Sequence, residues 1–227
     1  MENKKIATSQ NPAAKEEQVS KSILWKRRGI DDVYFQRETV VNFLSILGGV
    51  AVGALLTQFF PMIEQVRDSR WQLLLFFAAS IFIQINGWIQ TSWGALVLKW
   101  PISIPLLIPQ FMSSFTTCIM CLLVTVPSGW MASVGTFLMF GVLHELLLMK
   151  TGAWDIYPQK RVKTYKTNLL FFLSMMILTF LASAHLYFYP SKINETIWGA
   201  IALLGSIAAL VLQHQVMKQE KMELGIP

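Results

Sequence analysis

Charge is scarce in this chain. Only 14% of its 227 residues are Asp, Glu, Lys or Arg, against 54% hydrophobic, whereas soluble domains carry about 25% charged residues. Water is therefore not the main solvent of this polypeptide. Several chemical signatures are missing as well. His144 is followed by Glu145 but by no second histidine four residues on, so the zinc-protease helix pattern is absent. No glycine-rich loop offers a phosphate cradle. No internal repeat is evident, which leaves an inverted-repeat transporter without support from sequence symmetry.

What fills the chain instead is six long apolar runs: Val40 to Ile63, Trp71 to Leu98, Ile102 to Val126, Trp130 to Met149, Thr167 to Tyr189 and Thr196 to Val216. Each has roughly the 20 residues that cross ~30 Å of hydrocarbon at 1.5 Å per residue. A helix satisfies its own backbone hydrogen bonds in lipid and an open sheet edge does not, so the runs predict an all-α, polytopic membrane protein with six transmembrane helices. Continuous rather than alternating hydrophobicity excludes an outer-membrane barrel. The first run begins only near Val40, behind a long polar segment, which is unlike a cleaved signal peptide.

Lysine and arginine are retained in the cytoplasm when they lie in short loops near span ends. Sixteen of the nineteen fall on one side of the expected spans, and only Arg67, Arg70 and Lys192 on the other. Both termini are therefore expected in the cytoplasm, in a plasma or inner membrane, with an organelle membrane as the alternative. The net charge of +6 reads as topology and adhesion to anionic lipid headgroups, not as nucleic-acid binding.

Four segments follow. Residues 1–20 form a polar arm too poor in large apolar residues to offset its ordering entropy. Residues 21–39 mix aromatics with Lys26, Arg27 and Arg28, the composition of a headgroup-level segment. Residues 40–217 hold the six helices, and residues 218–227 are a short cytoplasmic tail. The fourth loop adds Lys160, Arg161 and Lys163 beside Trp154 and Tyr157. These cations are candidates for binding lipid headgroups or a cytosolic partner.

Helix packing in lipid depends on close van der Waals approach, and small residues permit it. Ser45, Gly49, Gly53 and Thr57 recur every fourth residue in the first span. The stripe is expected to pack inside one subunit or to join subunits of a homo-oligomer or membrane complex. Ala202 and Ser206, with Gly205 and Ala209, repeat the idea in the last span.

Polar residues inside the runs mark a candidate pathway. The second span carries Gln84, Asn86 and Gln90, which serve either as interhelical hydrogen-bonding groups or as the lining of a hydrated path. In the third span Pro105 and Pro109 each remove an N–H donor and favour a bend or break. A short turn makes the second and third spans antiparallel neighbours, so amides and freed carbonyls are expected to share an inner-leaflet pocket. Glu145, beside His144 in the fourth span, must be paired, hydrated or neutral there, or snorkel toward Lys150.

The reading is a small channel or transporter-like protein that moves an ion or small solute past Gln84, Asn86, Gln90, His144 and Glu145. The alternative is a non-transporting adaptor or complex subunit that recruits a partner through its basic segments. A redox protein ranks last. Cys118 and Cys121 have CxxC spacing, but read better as small apolar residues in a packed helix. A bis-histidine haem needs two facing histidines at one depth, which His144, His185 and His214 do not supply. No metal and no cofactor is expected. Asn194 to Thr196 matches a glycosylation sequon at the edge of the last span.

Overall fold

In a computed structural model, residues 37–93, 104–150 and 159–223 are described. At residues 37–41, 104, 148, 159–168, 219–220 and 223 the backbone alone is described. Six helices follow one another: α1 Arg37–Arg67, α2 Leu73–Ser92, α3 Ile104–Leu122, α4 Pro127–Lys150, α5 Gln159–Phe188 and α6 Lys192–Glu223. All six are long and apolar enough to cross a membrane, consistent with a multi-pass membrane protein. No strand occurs among the described residues.

Helix ends explain where the expected boundaries shift. Pro127 opens α4 three residues before Trp130, because the first helical position has no N–H bond to lose and proline presets its φ angle. Ser191 caps α6 by accepting the Asn194 backbone N–H at 3.1 Å, which draws the helix start back to Lys192 and places the sequon in its first turn. The basic stretch from Gln159 is helical and extends α5 upstream of Thr167. At the end of α1, the Ser69 N–H donates to the Val66 carbonyl and the Arg70 N–H to the Gln65 carbonyl, both at 3.0 Å. That pattern is a Schellman cap, and it forces Ser69 to φ 72°.

Three tight turns, at residues 68–72, 123–126 and 189–191, lie at one end of the bundle, here the turn end. The other end holds the start of α1 and the end of α6, and is here the open end. Around the bundle the helices pack in the order α1, α2, α6, α5, α4, α3 and back to α1. The α5–α6 junction is the lightest on this circuit. α2 and α3 also touch only lightly, contrary to the neighbour relation expected from their short connection. α1 intervenes and packs on both. The connection itself, residues 94–103, lies outside the described residues.

The core belongs to the turn end. Ala51 and Leu55 of α1, Phe76 and Ala79 of α2, Met120, Cys121 and Val124 of α3, Trp130 and Val134 of α4, and Ala182 and Leu186 of α5 form one buried cluster. Trp130 anchors it: its ring meets Phe76 edge-on at 5.2 Å, and its indole N–H donates to Ser80 Oγ at 2.8 Å. Cys118 and Cys121 are free thiols in this packing. Toward the open end a smaller α1–α3 cluster, Leu44 and Leu107 with Leu47 and Phe111, is found among the described residues.

Glycine supplies close approach at positions outside both stripes. A Cβ on Gly199 of α6 would stand 3.0 Å from Leu75 Cβ, and one on Gly135 of α4 would stand 3.0 Å from the Phe180 ring. By contrast, a Cβ on Gly49 or Gly53 would meet nothing within 4 Å. Packing of the α1 stripe within the subunit therefore does not occur at its glycines. The residues that α1 turns inward are Leu44, Ala51, Leu55 and Met62.

α3 is one continuous helix from Ile104 to Leu122. Pro105 falls in its first turn, where the missing donor costs nothing. Pro109 is inside the helix, and the helix is not broken there. A bend or a break was expected at both residues; no break occurs, since α3 starts beside Pro105 and continues through Pro109.

Candidate functional site

Hydroxyl and amide side chains meet an apolar surrounding in different ways, and the difference builds the site. Ser114, Thr116, Thr117, Ser133 and Thr136 each donate to the carbonyl four residues back, at 2.7 to 3.0 Å. They satisfy their own hydrogens within their own helices. Glutamine and asparagine carry two donors and an acceptor and need partners beyond their own turn. Gln84 finds one on α3, where its Nε2 donates to Cys121 Sγ at 3.3 Å. This contact links α2 to α3 despite their light packing.

Above that contact, toward the open end, a cavity of about 140 Å³ separates α1 to α4. Its polar lining comes from Gln84, Gln90 and Thr91 of α2, Gln110 and Ser113 of α3, and His144 and Glu145 of α4. Pro109 and Gly141 also line it. His144 and Glu145 are both buried. A polar cavity of this size has room for water and several polar partners for it. Toward the turn end the Gln84–Cys121 contact and the Trp130 cluster close it off.

Four of the five pathway residues read from sequence, Gln84, Gln90, His144 and Glu145, thus come together around one space. Asn86 does not join them. It lines a second, mainly apolar cleft along the α5–α6 seam that α2 and α4 also wall, and Gln90 lines both spaces. Helical phase accounts for the split, since Asn86 is two residues, or about 200°, from Gln84. Ser45 lines the polar cavity, while Gly49, Gly53 and Thr57 are exposed.

Lys26, Arg27 and Arg28 lie outside the described residues. Lys160, Arg161 and Lys163 lie on the first turns of α5, where the backbone alone is described. Among the described residues no group of three or more His, Cys, Asp or Glu side chains could hold a metal.

Sequence reasoning missed a polar cluster at the turn end. Arg70 Nη2 donates to Glu195 Oε1 and Oε2 at 3.0 and 3.2 Å, Arg70 Nη1 donates to Gln65 Oε1 at 2.7 Å, and Gln72 Nε2 donates to Glu195 Oε2 at 2.7 Å. The pair fastens α6 to the α1–α2 turn, with the Glu195 side chain 12% exposed. An acid in the first turn of a helix, which complements its dipole, was the one readable signal. Its partner, 125 positions away, was not. Nearby, the Trp198 indole N–H donates to His185 Nδ1 at 3.0 Å, which occupies that histidine in joining α5 to α6.

No family model, curated protein or solved structure matches the chain.

Proposed function

We propose that this chain is a six-span membrane protein with both termini in the cytoplasm, which moves an ion or small polar solute through the cavity ringed by Gln84, Gln90, His144 and Glu145. Two features support the membrane assignment. The outward helix faces are apolar, with Phe60 74% and Leu204 67% exposed, and a surface of that kind suits lipid rather than water. The sequence bias of lysine and arginine toward the segments before α1, between α2 and α3, between α4 and α5 and after α6 supports a cytoplasmic open end.

The observation that carries the transport reading is the polar cavity itself. Ionisable residues at membrane depth are costly and are kept facing a bundle interior or a hydrated space. A histidine, a glutamate and three glutamine amides around one 140 Å³ space are more polar surface than helix association requires. The cavity occupies the cytoplasmic half and the Trp130 cluster the outer half. A solute entering from the cytoplasm would meet that apolar block as the gate, and passage would require α2 and α4 to separate beside it.

Purified protein in liposomes tests this. Panels of monovalent cations, protons and small neutral solutes should show flux above empty vesicles for at least one species. Glu145→Gln with His144→Ala should lower that flux at least tenfold while leaving the protein folded and inserted. Flux unchanged in the double variant removes the cavity from the mechanism.

A second reading is favoured by the exposed glycines of α1. Gly49 and Gly53 present a GxxxG face where a Cβ would meet no atom within 4 Å among the described residues. This fits a homo-oligomer or a subunit of a membrane complex, in which the basic cytoplasmic segments recruit the partner. A folded Gly53→Leu variant that lowers the mass of the particle in mild detergent, with no flux from either form, would favour it.

A further inference from the structure

The α5–α6 seam holds a second space whose chemistry differs from that of the polar cavity. α5 and α6 are joined by the short 189–191 turn and tied there by the Trp198–His185 hydrogen bond. Farther along they touch only lightly. Between them lies a cleft of about 120 Å³, comparable to the ~150 Å³ apolar cavity that binds benzene in an engineered protein. Ala202, Gly205, Ser206 and Ala209, the small-residue stripe of α6, face into it. A Cβ on Gly205 would meet only Met175 Cε, at 3.8 Å, so these residues leave the seam open instead of closing it.

Polarity in the cleft is uneven. The walls are aromatic and aliphatic, among them Phe171, Met175 and Leu178, and among the described residues no charged side chain lines it. The hydroxyls of Thr179 and Ser206 are spent on carbonyls of their own helices at 2.9 and 2.8 Å. The unspent polarity sits at one place, on α2, where Asn86 and Gln90 reach the cleft. Asn86 Oδ1 is buried and accepts no hydrogen bond. Such an acceptor costs free energy unless a donor reaches it, and the broad terminal torsion of asparagine lets the amide turn toward the cleft. From Trp198 to Ala209 the cleft extends roughly 16 Å along α6, about half the hydrocarbon thickness.

We propose that the α5–α6 cleft binds a neutral single-chain lipid from the bilayer, with its chain between the two helices and its hydroxyl on the Asn86 amide. A hydroxyl both donates and accepts, matching the acceptor and donor of the amide. The lack of a charged residue selects against a carboxylate or phosphate headgroup, whose burial unpaired is costly. The cleft adjoins the polar cavity, sharing Gln90 and Phe172 with it, but differs in chemistry, because His144 and Glu145 line only the polar cavity.

Photolabelling of the full chain in liposomes tests the proposal. The probes are a long-chain alcohol and the fatty acid of equal chain length at pH 8, each carrying a diazirine in the chain. The alcohol is expected to label residues 171–178 and 201–209 in preference to the outward faces of α1. Asn86→Leu should lower that labelling severalfold, and Gly205→Leu, which fills the cleft, at least tenfold. Asn86→Ala, which removes the amide without adding bulk, provides a second variant should the leucine substitutions fold poorly, and it should also lower labelling. Equal labelling by the fatty acid, labelling spread evenly over all lipid-facing helix surfaces, or labelling indifferent to these substitutions would overturn the proposal. Because no flux enters the readout, failure here leaves the transport reading untouched.

Discussion

The two ends of the bundle handle polarity in opposite ways. At the turn end several polar groups bond across helices: Arg70 and Gln72 on Glu195, Trp130 on Ser80, Ser183 Oγ on the Ser128 carbonyl at 2.9 Å. Those bonds surround a packed apolar cluster. At the open end glutamines, a histidine and a glutamate line a cavity. Without a strong hydrophobic drive between helices in lipid, stability must come from packing and interhelical bonds. The turn end therefore carries most of the packing that holds the bundle together, and the proposed solute site lies at the open end.

Substitutions can break that contrast, and the largest effect is expected at the centre of the packed end. Trp130→Ala should destabilise the protein by about 3 kcal/mol, at the low end of the ~3–5 kcal/mol seen for such truncations in aqueous cores, because transfer into lipid recovers part of the apolar term. Denaturation in mixed micelles measures it. Replacing His144 by alanine should shift the same transition far less than that.

A paired glycine test follows. Gly199→Ala pushes a methyl to 3.0 Å from Leu75 Cβ and should cost about 1–2 kcal/mol, since overpacking outweighs the ~1 kcal/mol helix-propensity gain. Gly53→Ala enters open space and should be neutral or stabilising by up to ~1 kcal/mol. Equal effects would mean that the α1 stripe is packed in the subunit after all. The smallest change is expected at the α1 cap, where Ser69→Gly relieves a left-handed φ of 72° and should stabilise by about 1 kcal/mol.

Spans were legible because length and hydropathy alone decide them. Their ends were not, because caps such as Ser191 and Pro127 act through single hydrogen bonds or a preset torsion, which an apolar run does not register. The small-residue stripes were the least reliable guide. Spacing every fourth residue states that a helix has a narrow face, but not what meets it: Gly199 and Gly135, in no stripe, make the close contacts. Gln84, Gln90, His144 and Glu145 were singled out because polar side chains are rare in apolar runs. Asn86 went to the other cleft because residues two apart on a helix point nearly opposite ways, and the Arg70–Glu195 pair depended on a contact between distant segments.

Water access to the polar cavity tests the central claim most directly. In a chain with Cys118→Ala and Cys121→Ala, a single Ser113→Cys substitution places a thiol on the cavity wall. In oriented vesicles it should react with a membrane-impermeant maleimide added from the side of the termini, and not from the turn side. A thiol at that position unreactive from both faces, or reactive from the turn side alone, would contradict a cytoplasm-facing hydrated cavity.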